Sequence, residues 1–119
     1  MAKYVDGYVI PIPKKNLAAY RKMARWGKKT WLKYGALDYK ECVGDDLSPA
    51  FGALFPRMTK LRPGETVIFS YIVYKSRAHR DQVNAKVMKD PSMTTAAPKK
   101  MPFDMKRLAF GGFKVLVES

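Results

Sequence analysis

The chain has 119 residues, 47% of them hydrophobic, enough for one domain that buries roughly two-thirds of its unfolded surface without staples. It carries 23 bases against 10 acids, a formal charge of +13, and its single cysteine and single histidine exclude an intramolecular disulfide and a Cys/His zinc site within the chain. The N-terminal run lacks the pattern of a signal peptide, and the longest uncharged apolar stretch, residues 67–74, is too short to span a bilayer, so the expectation is a cytoplasmic protein with no membrane insertion and no metal.

Residues 3–12 alternate and are rich in Tyr, Val and Ile, so they read as a strand closed by Pro11 and Pro13. Alternation places Tyr4, Asp6 and Tyr8 on one face and Val5, Gly7 and Val9 on the other. Residues 14–34 read as a helix, with Leu17, Tyr20, Met23, Ala24, Gly27, Trp31 and Tyr34 on one side. The other side carries Lys14, Lys15, Arg21, Lys22, Arg25, Lys28, Lys29 and Lys33 with no intervening acid. Gly35 ends this helix, and residues 36–43 form a second strand with Leu37, Tyr39, Glu41 and Val43 on one side.

Residues 44–64 contain Asp45-Asp46, Ser48-Pro49, Phe51-Gly52 and Arg62-Pro63-Gly64, the chemistry of a long irregular connection. The strongest strand is residues 66–74, whose near-continuous apolar run predicts a central position with both faces buried. Ser76 is suited to cap a second helix over 77–89, which Asp90-Pro91 stops. Residues 92–100 read as a mobile loop. A final strand spans 107–117, where Gly111-Gly112 predicts a bulge, a bend or the close approach of another group.

The order βαββαβ is that of an α+β, ferredoxin-like fold: one four-stranded antiparallel sheet with two helices on one face. The other sheet face is then bare, and because the strands are apolar on both sides, the simplest resolution is a homodimer with its sheets face to face around a barrel-like interior.

Tyr4-Val5-Asp6-Gly7, Gly35-Ala36-Leu37, Glu41-Cys42, Asp45-Asp46, Phe69-Ser70, Arg80-Asp81 with Asn84, Asp90-Pro91, and Met101-Pro102-Phe103-Asp104 with Lys106-Arg107 and Gly111-Gly112-Phe113 together resemble the YbaA-like family of bacterial proteins. The resemblance spans almost the whole chain. It implies a dimeric α+β barrel, a fold shared with small monooxygenases, haem-degrading enzymes and other pocket-forming dimers, and it brings no established catalytic residues. The cationic first helix departs from the family pattern.

No phosphate-cradling loop or nucleophile elbow is present, so no cofactor is expected and enzymatic chemistry stays open. Asp6, between two tyrosines, is a candidate general acid or base if its face lines the dimer interior, or else a structural carboxylate paired with a base. Glu41 poses the same two readings. Arg80 lies at the edge of the helix face formed by His79, Val83 and Val87, where a buried guanidinium needs a carboxylate from Asp6, Asp81 or Asp104. His79 is a candidate base or a packed histidine, Asn84 a candidate for holding a substrate carbonyl, and Asp104 with Arg107 candidates for the mouth of a pocket. Trp26, among Lys22, Arg25 and Lys29, either stacks on a nucleobase while the lysines hold phosphate or folds over lysine stems.

Three functions follow. The sequence favours a homodimer that binds a small molecule in a pocket beside the sheet, lined by Asp6, Arg80, Asn84, Asp104 and Arg107. The alternatives are nonspecific binding of nucleic acid or an anionic surface through the basic helix, and a structural dimer without ligand.

Overall fold

Pairing of the two most apolar strands decides which side of the sheet is inside. In a computed structural model describing residues 2–119, β1 (Tyr4–Pro13) and β3 (Glu65–Tyr74) lie side by side at the sheet centre. β2 (Asp38–Val43) and β4 (Ala109–Lys114) form the edges, giving the order β2-β3-β1-β4 with every pairing antiparallel. Helices α1 (Leu17–Lys33), entered through a 3-10 turn at Lys14–Asn16, and α3 (Arg77–Met88) cover one face. One-turn helices α2 (Phe55–Met58) and α4 (Ser92–Thr95) sit in the connections. The chain is therefore a ferredoxin-like α+β unit, as its element order predicts.

The even-numbered residues of β1 and β3 point toward the helices. Ile10, Ile12 and Ile68 pack with Tyr20, Leu17 and Met23, while Ile72 and Tyr74 pack with Val83, Val87 and Ala36. Gly35 ends α1 with φ of +113°, a conformation open to glycine and strained for other residues. Ser76 caps α3, its hydroxyl accepting the His79 N–H at 3.1 Å. Because Asp6 is even-numbered, it lies under α3 within the subunit; its face is not the one left for a partner, which corrects the placement of Asp6 at a dimer interior.

The glycine pair of β4 makes no bulge. Its register with β1 is unbroken from Tyr4↔Lys114 to Val9↔Ala109. A Cβ on Gly112 would overlap the Tyr4 ring, so this glycine serves the close approach of an aromatic from the neighbouring strand. β4 is also shorter than the expected 107–117, since Arg107 is drawn to Glu65 and the sequence beyond Lys114 leaves the ladder.

The odd-numbered face carries Val5, Val9, Phe69, Tyr71, Val73 and Phe113. α2 rests against β3, yet Phe69 and Phe113 remain 47% and 62% exposed. The eight bases of residues 14–33 are all exposed on the outer side of the helical layer. Among the described residues no helix is long and apolar enough to cross a membrane.

Asp90 fastens the two helices at their C-terminal ends. It accepts hydrogen bonds from the Tyr34 hydroxyl (2.6 Å), the Lys33 ammonium (3.2 Å), and the Ser92 hydroxyl and N–H (2.5 and 2.8 Å). These bonds, those of Ser92 foremost and then Tyr34, hold its carboxyl far below the ordinary value of 3.8. A depressed folded-state pKa stabilises the protein fully above the unfolded value, and the stabilisation is lost as pH falls through the folded one. Asp90→Asn should lower the melting temperature by several degrees at neutral pH, and the gap from the parent should narrow progressively as pH falls from about 3.8, as followed by circular dichroism across an acid series.

Candidate functional site

Three of the residues singled out in the sequence meet at the seam between α3 and the sheet. Asp6, 4% exposed, accepts a hydrogen bond from Arg80 Nη1 at 3.0 Å. The guanidinium carbon lies 4.9 Å from the Tyr4 ring centroid, and Arg80 Nε is 2.8 Å from Asp81 Oδ1 without hydrogen-bond alignment. Two of the three carboxylates proposed for Arg80 thus supply its partners. Asn84 Oδ1 accepts from Trp31 Nε1 (3.0 Å) and from the Tyr74 hydroxyl (3.2 Å). Burial pushes the Asp6 carboxyl up, and Arg80 opposes that shift.

The other candidates go elsewhere. Asp104 is exposed and closes a turn by accepting the Lys106 N–H at 2.9 Å. Arg107 makes a two-pronged pair with Glu65, 2.6 and 2.9 Å, and donates to the Lys60 carbonyl at 3.1 Å; its fork holds the Glu65 carboxyl below the ordinary value. These two residues do not join Asp6, Arg80 and Asn84, which corrects the expected five-residue lining. His79 Nδ1 accepts the Lys75 N–H at 3.0 Å, and burial lowers its pKa. Trp26 donates to Ser92 Oγ at 2.7 Å and meets Trp31 edge-on with centroids 6.0 Å apart, so it is packed against α4 and the core instead of standing free beside Lys22, Arg25 and Lys29.

A cleft lies between α1 and the sheet. Strand register sets Phe110, Tyr8, Ser70 and Glu41 in one row across the sheet, all on the helix side. Ser70 is the small member of that row. Two adjoining chambers lie here: Ala24 of α1 lines both, Ser70 and Gly27 line one, and the Tyr39 hydroxyl takes the place that a Cβ on Gly27 would need. The outer one, toward the β2 edge and about 250 Å³, is lined by Leu17, Val43 and Ile68 and by the exposed Arg21, Arg25 and Lys28. The inner one, toward the sheet centre and about 190 Å³, is lined by Tyr8, Ile10, Trp31, Ser70, Phe103 and Leu108.

Tyr20, Tyr39 and Glu41 form the wall that both chambers share. The Tyr20 hydroxyl donates to Glu41 at 2.8 Å and the Tyr39 hydroxyl at 3.2 Å. Burial drives both phenols well above the ordinary value, with the Glu41 charge adding to it. Tyr8 is pushed up to about 12 by burial and by the Asp6 and Glu41 carboxylates. Among the described residues neither the Tyr8 nor the Ser70 hydroxyl has a hydrogen-bond partner in the protein, and both line the inner chamber.

Periodicity puts Tyr20 on the helix core face and Tyr39 with Glu41 on one strand side, without relating the two elements. The joining signal is register, which alternation within single strands does not contain. The 101–113 tract does contribute to the cleft, through Phe103 and Leu108 and not through its charges. Among the described residues no cluster of three or more His, Cys, Asp or Glu is placed to hold a metal ion.

A four-stranded antiparallel sheet with two helices on one face defines the class, a ferredoxin-like α+β fold. A crystal structure of a dimeric ferredoxin-like protein from an uncultured marine organism superposes with a TM-score of 0.57 at 13% identity, covering all of both chains. A candidate antibiotic biosynthesis monooxygenase from Bacillus cereus follows at 0.55 and 11% identity, over all of this chain and 98% of that one. By sequence, residues 3–105 match the family described as a protein of unknown function, DUF1428. The chain is 38% identical over 116 residues, 98% of each partner, to the uncharacterized protein YbaA of Escherichia coli K12, and to the same extent to YbaA of Shigella flexneri. The chain belongs to this family.

Arg80→Met should destabilise the fold by about 3–5 kcal/mol, the cost of leaving a buried charge unpaired. The loss should deepen as pH rises above 4, because an unpaired buried carboxyl is tolerated only in its protonated form. Replacing Asp6 by Leu in the same chain should restore part of it, as measured by urea unfolding.

Proposed function

We propose that this is a homodimeric protein that binds a small organic molecule in the two-chambered cleft between α1 and the sheet. One observation carries the reading: Ala24 and Ser70 put small side chains where α1 faces the sheet, and the space beside them stays open in an interior that packing otherwise fills. Together the chambers reach the range of sites for small organic ligands, roughly 300–1,000 Å³. The lining is mostly apolar and aromatic with a few polar groups, Tyr8, Ser70 and Glu41 among them, which is the usual composition of such sites. Nucleic-acid contact through the basic helix keeps its charge but loses its stacking residue, since Trp26 is packed against Trp31.

Self-association is proposed to use the odd-numbered sheet face. Its aromatic and β-branched residues form an apolar surface of the kind that monomers rarely expose, and two such sheets pack about 10 Å apart. The dimeric ferredoxin-like structure of the same fold supports this assembly. The exposed, unpaired Cys42 suits a reducing compartment, and we place the protein in the cytoplasm.

Naphthamide, a neutral aromatic probe, should give saturation-transfer signals with the parent protein, and Ala24→Phe, which fills the space beside Tyr39 and Ser70, should abolish them while leaving circular dichroism unchanged. Binding unaffected by the filled cleft would remove the basis of the proposal. Phe69→Lys should convert the dimer into a folded monomer, as read by light scattering after size exclusion; a monomeric parent would rule out the assembly.

A further inference from the structure

The charge at the cleft mouth narrows what the cleft accepts. On the reading that this cleft is the binding site, we infer that its ligand is an organic anion: an aromatic or cyclic body with one carboxylate or similar acid group. The acid lies at the outer mouth between Arg21, Arg25 and Lys28, and the body points into the inner chamber.

The three bases recur at i, i+4 and i+7 along α1 and so share one face of it, at the edge turned toward β2. Among the described residues none of them is paired with a carboxylate, in contrast to Lys33, Arg80 and Arg107. Glu41 is the only acid lining either chamber. It is already engaged by the Tyr20 and Tyr39 hydroxyls, so it neither neutralises the rim nor stands free as a counter-charge for a cationic ligand.

An arginine fork matches the two oxygens of a carboxylate, and two arginines one turn apart with a lysine beyond offer more donors than a single acid group can use. Inward from the rim the surface is Ile10, Met23, Trp31, Phe103 and Leu108, which takes an apolar body. The unpartnered Tyr8 and Ser70 hydroxyls stand at its far side, able to meet one further polar atom. The remaining bases of the helix, with no acid among them, raise the potential around the mouth and draw anions toward it.

Naphthoate and naphthamide are matched in size and differ in charge, and titration calorimetry with both separates this inference from the reading beneath it. Naphthoate should bind the parent about tenfold more tightly than naphthamide. Arg21→Gln with Arg25→Gln should cut that ratio to within about threefold by weakening naphthoate far more than naphthamide, and added salt should weaken naphthoate more than naphthamide. Equal affinities in the parent, or a ratio that survives in the double variant, would overturn the anion assignment and leave the cleft as a site. Failure of both compounds to bind, or binding of both that survives Ala24→Phe, would overturn the cleft reading and this inference with it.

Discussion

Everything that distinguishes this molecule depends on the register of β1 against β3. Asp6 pairs with Ile72 and Tyr8 with Ser70, and a slip of one residue would send every side chain of a strand to the opposite face. In the observed register the helices receive the isoleucines, Tyr74 and the buried Asp6 that Arg80 pairs with. The other face receives Val5, Val9, Phe69, Tyr71, Val73 and Phe113, with Gly7 and Pro11 between them and Asp38 and Lys40 at the β2 edge. Hydrophobic burial therefore selects a single pairing, and the polar groups inherit their positions from it. The row Tyr8, Ser70, Glu41 is a by-product of a packing choice made mostly by Ile10, Ile12, Ile68 and Ile72.

The limits of the sequence reading have the same origin. Elements were legible wherever a local periodicity or a local stop was present: the alternation of β1, the stripe of α1, Gly35 at its end, Ser76 before α3. The need of Arg80 for a carboxylate was legible too, because a charge on a buried helix face demands a partner wherever the chain supplies one. What could not be read was distance across the sheet. Tyr20 and Glu41 are 21 residues apart, Arg107 and Glu65 are 42 apart, and no periodicity within either segment indicates the other. Trp26 misled for a related reason: its helical angle lies off the core stripe, but Asp90 organises residues 92–95 into a turn that covers it. A cleft is harder still to read, since it is made by side chains that are small, and a small residue leaves no mark on a hydrophobic pattern.

The basic helix shows how one element serves two neighbours with different demands. Its apolar stripe packs on the sheet, and of the eight bases on its cationic side only Lys33, among the described residues, has a carboxylate partner. Self-repulsion along such a face lowers stability, while the Asp90 clamp binds Lys33 at the end where the helix dipole also favours a cation. Fold stability and outward charge are thus handled at different ends of the same helix.

Gly27 brings these threads to one position. Glycine inside a helix costs about 1 kcal/mol relative to alanine, and here it sits mid-helix and buried. A Cβ at that point would lie 2.5 Å from the Tyr39 hydroxyl oxygen, the group that reaches across to Glu41. A related chain with alanine at this place would hold a firmer helix and would have to carry Tyr39 differently, reshaping both chambers that Tyr39 lines. One letter of the sequence thereby records whether Tyr39 can keep its place, and makes the geometry of the cleft a trait that can be followed from chain to chain without a structure for each.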